Sequence, residues 1–501
     1  MPSGGSERNI IVGVVLMALA AVVTLFVIVA TSGAFESYKY IFLVPWIIGL
    51  AVLMLAPSVY LYYKGRFSFA DPIVFSTWSY LFPAFILGGL FFAFGWSQPY
   101  FIAFTQDIPY TMPLTIVIVA LGFSGLSVGY FLPIGARIGA AIERWLPKAN
   151  YKLSNYSIPG IVLLILGVFN TILAFILGVF GYQQAQQVNS YDGLVYMTTL
   201  FWLEASFLLW NLIFRGRGFS VVNVILLVLL ISTAVSKALF AGNRGSAIQI
   251  FTIIALAYVL SGRELKVKQT VTAGVILTAL LIAGMVYGTT FRSVKSTEAQ
   301  QGFDQYAQNI TRTFDQIGKN DSLETLQYGL LSMTERIDML TTLSVVVSNH
   351  EQLAPYEEAY ELDDNIWKDM TVFLVPRIIW PEKPSASDPR KYSDLYFNQN
   401  DTSFAITPFG DLLRNFGIVG VPIGMMVIGI FLRIFYRALV EAQPPSIWRS
   451  MLYFMLLMSV TYEGFYGTLI PNFLKYGIVA VAGILIVNLL ARMRFLPARS
   501  F

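Results

Sequence analysis

The residues of this chain able to do chemistry are charges and rings set where apolar runs would exclude them. Glu204 stands inside "LFWLEASFLLWN", and Lys237 inside "STAVSKALFAGNRGSAIQ". A charge within an apolar span is costly, so it is paired or functional. These two are expected either to form a buried pair, together or with another polar group, or to line a polar cavity. Asn243 and Arg244 lie in "AGNRGS", where flanking glycines let the backbone approach a ligand and present its N–H groups. The plainer reading of Arg244 is an arginine that snorkels to lipid phosphate. Arg377, Trp380 and Lys383 share "VPRIIWPEKP". An arginine fork for phosphate oxygens, a ring for stacking on a sugar and rigid prolines suit a glycan–diphosphate.

Four further positions complete the set. Arg336 in "MTERIDML" is flanked by acids, so it is an anion ligand or half of a solvated ion pair. Arg414 in "FGDLLRNFG" is an anion ligand or an interfacial anchor, and Arg312 is a fourth arginine of the same segment. Glu463 in "VTYEGFYGTLIPN" is a proton acceptor or a pairing group. His350, the one histidine, is read as solvated. Cations that stabilise a departing phosphate and an acid that takes a proton make a group-transfer set needing no metal. With no cysteine there is no thiol nucleophile, disulfide or cysteine-ligated metal, and one histidine excludes a histidine-rich metal site.

These residues need elements to hold them, and composition says which. The 501 residues are 56% hydrophobic and only 12% charged, against about a quarter charged in soluble domains. The apolar residues fall in runs of about 20, enough for a helix to cross a bilayer. The alternating strands of an outer-membrane barrel would not give such runs. The fold class is therefore an all-α, polytopic membrane protein. Twelve spans are expected, near 9–30, 41–63, 73–95, 112–134, 158–181, 194–214, 219–240, 245–260, 271–290, 417–436, 450–468 and 473–491. The first is expected to stay as an anchor and not to be cleaved.

Orientation follows from the short loops. One set of span ends carries 18 of the 33 cations, and the opposite set only Lys39, Lys237, Arg244 and Lys475. Both termini are then cytoplasmic. The remaining 11 cations lie with 19 acids in 292–416, a net charge of −8, on the outer side. The expected organisation is a membrane bundle over 1–291, an outer subdomain over 292–416 with helical spacing in its first half, and a second membrane part over 417–501.

The elements "AGNRGSAIQIF", "TERIDML", "VPRIIWPEKP" and "TPFGDLLRNFGIVGVPIGMMVIGIFLRIFYR" occur in that order. Together, over roughly 235–440, they resemble the oligosaccharide repeat-unit polymerases, the Wzy-type O-antigen polymerases of bacterial envelopes. The resemblance implies a glycosyltransferase of the all-helical, lipid-carrier-dependent (GT-C-like) kind in the bacterial inner membrane. It would join repeat units at the outer face, with donor and acceptor both on polyprenyl diphosphate, to build O-antigen or another surface polysaccharide. The catalytic set would be Arg244, Arg336, Arg377 and Glu463, with Lys237, Asn243, Trp380, Lys383 and Arg414 binding substrate. No cofactor and no nucleic acid is implied. The partners would be the lipid-linked glycans, membrane lipids, a chain-length regulator and a flippase.

Two rivals share these features. An O-antigen ligase runs the same chemistry onto a different acceptor. A flippase for lipid-linked oligosaccharide fits the span count, but two related halves and a central cytoplasmic loop, expected of many carriers, are not seen here.

Overall fold

The computed structural model describes residues 39–97, 99–147, 156–179, 191–216, 221–241, 245–263, 267–294, 303–319, 334–374, 379–380, 382–384, 387–400, 403–441 and 446–492. Among these the structure is all helix, with no strand. The long elements are α1 (Val44–Tyr63), α2 (Pro72–Ala93), α3 (Ile108–Phe131), α4 (Pro133–Trp145), α5 (Ser157–Ile176), α6 (Asp192–Arg215), α7 (Val221–Ala241), α8 (Gly245–Val259) and α9 (Val267–Val294). There follow α10 (Phe303–Lys319), α11 (Met339–Leu353), α12 (Asn365–Leu374), α13 (Pro389–Phe397), α14 (Thr407–Tyr436), α15 (Ile447–Met458) and α16 (Tyr466–Arg492).

Among the described residues, eight helices are long and apolar enough to cross a membrane, so the chain reads as a multi-pass membrane protein. They correspond to expected spans two to seven, ten and twelve. The eighth and eleventh are shorter apolar helices, Ile248–Leu260 and Ile447–Met458. The ninth is α9, and the first lies outside the described residues.

Local sequence sets where several elements begin and bend. Asp71 starts α2: its Oδ1 accepts from the Ile73 N–H at 3.1 Å, with Pro72 in the first helical position. Further along, α2 widens into π-turns over Thr77–Leu81 and Pro83–Leu87. Pro83 has no N–H to give the helical ladder, which favours such a register change. α14 is broken at Gly417, whose φ of +67° only glycine adopts freely. Leu412, before this turn, lies against Gly420 and Gly424 beyond it, so 407–416 folds back on 418–436.

The centre of the bundle is the pair α3–α14. A methyl group at Gly125 would collide with the Pro422 carbonyl, and one at Gly129 with the Met426 carbonyl. From the other side, Gly429 meets the backbone of Leu126 and Tyr130. Close backbone approach through small residues is how helices associate in lipid, where hydrocarbon gives them no hydrophobic drive. Gly135 and Gly139 carry the contact onto α4, beside Arg433 and Arg437. There ion pairs gather at one end: Arg433 with Glu441 at 2.8 Å, and Arg437 with Glu143 at 3.8 Å.

The segment expected as an outer subdomain folds onto this bundle. The first half of α11, "MLTTLSVVV", is fully buried. The backbone of Asp338, at its start, fills the space beside Gly88 of α2, and Leu340 fills that beside Gly89. Gly88 is five residues in from Ala93, so α11 begins about 7 Å below the end of α2. From there it rises until Ser344 meets Thr105 at 2.9 Å and Ser348 accepts from the Gln106 N–H at 2.8 Å.

Candidate functional site

Two non-helical stretches meet inside the bundle. The expected eleventh span, 450–468, is not continuous: α15 stops at Met458, and α16 begins at Tyr466. Residues 459–465, "SVTYEGF", run between them outside any helix. The β-branched Val460 and Thr461 and the following Gly464 weaken helix here. The stretch faces the π-turn of α2 through a stack of Tyr80 on Tyr462, with centroids 5.7 Å apart. Tyr80 lies thirteen residues before Ala93, about 20 Å along α2. Irregular backbone at such depth is tolerated where protein buries it or where it lines a polar cavity.

Protein buries Ser459, Tyr462 and Phe465. Thr461 and Glu463 are exposed within this stretch, and Arg336, from the start of the α11 segment, is exposed as well. Both Glu463 and Arg336 lie within electrostatic reach of the Tyr80 hydroxyl. That hydroxyl is itself buried and has no hydrogen-bond partner. Two of the charges singled out in the sequence, from segments more than 120 residues apart, thus act electrostatically on one buried phenol that the sequence did not flag. An exposed carboxylate can accept a proton and an exposed guanidinium can stabilise an anion, while the phenol stays buried against Tyr462.

A second polar group stands behind the first. The side chain of Arg414 is fully buried. Its Nη1 donates to Glu357 Oε1 at 2.7 Å, and its Nη2 donates to Asn365 Oδ1 at 3.0 Å and to Asp411 Oδ1 at 3.1 Å. Asp411 Oδ1 also accepts from Asn365 Nδ2, and its Oδ2 from the backbone N–H of Tyr466. Arg414 is therefore neither exposed to lipid headgroups nor open to a ligand, as the sequence alternatives had it. Through Asp411 it joins the 292–416 segment to the first turn of α16. Burial pushes the Glu357 carboxyl above its usual range, against the pull of Arg414. Asp369, beside Gly467 of α16, is raised in the same way by burial, although the Ser387 N–H donates to it at 2.8 Å.

The other expected residues are dispersed or lie elsewhere. Asn243, Arg244 and Arg377 fall outside the described residues. Trp380 is half-exposed, and Lys383 donates through Nζ to the Val372 carbonyl at 3.0 Å near the end of α12. Arg312 is exposed on α10, and His350 is half-buried with its Nδ1 3.3 Å from the Val347 oxygen. The expected Glu204–Lys237 pair does not form. Lys237 sits 4.0 Å above the Trp202 ring, while the fully buried Glu204 carboxyl packs on Gly483 with no hydrogen-bond partner.

Tyr80, Asp411 and Glu357 were missed by sequence reasoning. Tyr80 looked like one more aromatic of an apolar span, and only the polar run "STWSY" before Pro83 marked the place. Asp411 was visible as a carboxylate three residues before Arg414.

No curated protein and no solved structure matches the chain. A family model described as a domain of unknown function, DUF8712, matches residues 148–438, which reach from the lead into α5 to the end of α14 and include Arg336 and Arg414. That stretch is more than half of the chain, and the protein belongs to the DUF8712 family.

Proposed function

We propose that this protein is a membrane-embedded glycosyltransferase that polymerises oligosaccharide repeat units carried on polyprenyl diphosphate, at the outer face of a bacterial inner membrane. The observation that carries the reading is the grouping of Arg336 and Glu463 about the Tyr80 hydroxyl, at a break between membrane helices. In the proposed step, an acceptor sugar hydroxyl attacks the anomeric carbon of the donor. The bond from that carbon to the diphosphate oxygen breaks, and polyprenyl diphosphate leaves. Glu463 takes the acceptor proton, and Arg336 offsets the charge that grows on the diphosphate.

The cation excess at one set of span ends supports the orientation, because it favours an outer position for the 292–416 segment, Arg336 included. The resemblance over 235–440 supports the choice of a polymerase over other transferases. The test is reconstitution of the purified chain with a synthetic polyprenyl-diphosphate repeat unit, reading glycan length on a gel. A ladder that lengthens in detergent, with no sealed membrane, is the expected result. No product in detergent, together with movement of the lipid-linked glycan across sealed vesicles, would overturn the reading in favour of a flippase.

A further inference from the structure

Arg449 stands in the first turn of α15, at the end of the bundle where Arg433 and Arg437 gather, and is only 4% exposed. Its Nη1 is sealed from solvent and has no hydrogen-bond partner among the described residues. Glu143 Oε1 of α4 is 4.0 Å away, beyond hydrogen-bond reach, and the centroid of the Trp448 ring is 5.4 Å away. A buried charge left without hydrogen bonds is costly unless something satisfies it.

Two further groups at the same helix start lack acceptors or donors. Ser446, the residue before α15, has the extended backbone of an N-cap. Its hydroxyl nevertheless caps no N–H, and is itself buried without a partner among the described residues. The Ser450 N–H donates to the Ser446 carbonyl at 2.9 Å, the first bond of the helical ladder. The N–H groups of Ile447, Trp448 and Arg449 precede it and have no acceptor within the helix. A side chain in the first turn leans back toward the helix N-terminus, which carries the Arg449 fork toward these N–H groups and the Ser446 hydroxyl.

The charges around the spot favour an anion. Arg433, Arg437 and Arg449 share Glu143 and Glu441, three cations to two anions. Asp71, within reach of Arg433, cancels the excess only in part, because burial pushes its carboxyl up to about 7. Helix starts attract anions through free N–H groups and the helix dipole. A planar fork, backbone N–H groups and a hydroxyl together suit the several oxygens of a phosphate. The side chains of Arg437 and Glu143 are part-exposed and form the way in.

We propose that the start of α15 binds a phosphate group, with the Arg449 guanidinium, the Ser446 hydroxyl and the first-turn N–H groups as its ligands. The site lies at the arginine-rich end, which the cation count favours as cytoplasmic, and it stands independently of the proposed reaction.

The first probe is inorganic phosphate, added to the purified chain in detergent at constant ionic strength, with chloride as the reference salt and melting temperature as the readout. Phosphate should raise the melting temperature of wild type as its concentration rises. Arg449→Gln should weaken that binding about tenfold or more, since a charged donor is lost. Glu143→Gln should tighten it, since a competing carboxylate is lost. Should Arg449→Gln fail to fold, Ser446→Ala takes its place, and it should weaken binding while Glu143→Gln still tightens it. The second probe is phosphatidylglycerol against phosphatidylcholine in mixed micelles. A shift with phosphatidylglycerol but not with inorganic phosphate, lost in Arg449→Gln or Ser446→Ala, would support the site with a lipid headgroup as its source. No shift with either probe, or equal shifts in wild type and the variants, would overturn it.

Discussion

The Oδ2 of Asp411 accepts a hydrogen bond from the backbone N–H of Tyr466 at 2.8 Å, across 55 positions of sequence. The same carboxylate accepts from Arg414 through its other oxygen. One buried acid thus neutralises a buried arginine and satisfies a free N–H in the first turn of α16. The 459–465 stretch that carries Glu463 is pinned at its far end by this bond and, nearer its middle, by the Tyr80–Tyr462 stack.

Arg414→Ala and Asp411→Ala should each destabilise the protein by about 3–5 kcal/mol, the usual result of leaving one member of a buried ion pair alone. Unfolding in mild detergent, followed by heat, reads this directly. Arg414→Lys should recover only part, since an ammonium cannot match the fork that meets Glu357, Asn365 and Asp411 together. A shift below about 1 kcal/mol for both alanine variants would mean that the network is exposed to solvent after all.

Arg336→Ala and Glu463→Gln should lower polymerisation by roughly 10²–10³ with little change in melting temperature, because both side chains are exposed and stabilise no partner in the core. Tyr80→Phe should fall between these and wild type. Initial rates with the synthetic repeat unit decide it, and rates within about twofold of wild type for the two charge variants would remove them from the site.

The glycines of the α3–α14 seam should not accept a methyl group. Gly125→Ala and Gly129→Ala each place a carbon against a carbonyl of α14 and should cost about 1–3 kcal/mol. Gly193→Ala, with nothing within 4 Å, should stay within about 0.5 kcal/mol of wild type. The measurement is again thermal unfolding, run side by side.

Burial raises the Asp338 carboxyl from 3.8 to about 7, more than its bonds from Thr341 lower it. The folded state then binds this proton more tightly than the unfolded state. Stability from this group is full at low pH, falls as pH rises from about 4 to about 7, and is level above that. Asp338→Asn should flatten that part of the stability–pH curve while keeping the acceptor oxygen that caps Thr341. An unchanged slope in the variant would assign the pH dependence to other groups.

Because the chain has no cysteine, single cysteines report topology without background. Glu361→Cys should react with an impermeant thiol reagent from outside in cells stripped of their outer membrane. Trp145→Cys, exposed at the end of α4, should react only after lysis. The reverse pattern would turn the molecule over and put the 292–416 segment, with Arg336, on the cytoplasmic side.

Much of the architecture was legible because apolar runs of helix length leave few alternatives, and eight expected spans reappear as crossing helices. The break in the eleventh was not, since "YFMLLMSVTYEGFYG" is nearly as apolar as its neighbours and the period of a helix does not reveal where its axis stops. The boundary at Gly417 was legible, since the expected tenth span begins there, but the packing of Leu412 back against Gly420 and Gly424 was not, because it depends on a positive φ that the sequence only permits. At the site, Arg336 and Glu463 stood out as charges in poor company, but their meeting depends on α11 dipping beside Gly88, a tertiary fact no local pattern carries. Arg414 misled for the opposite reason. Its partner Glu357 lies 57 positions away, so its burial was invisible.

The interlocked glycines of α3 and α14 also divide the molecule into parts that can and cannot move. Backbones in contact at Gly125, Gly129 and Gly429 leave no side-chain layer to slide over, so shear between these two helices is blocked. The 459–465 stretch has no helical ladder of its own, and it is held at its ends by α15 and Asp411 and near its middle by the Tyr80–Tyr462 stack. Tyr466 then ties the first turn of α16 to this keel twice, through its N–H to Asp411 and its hydroxyl to the Gly424 carbonyl, so Glu463 sits on a non-helical stretch beside a fixed frame.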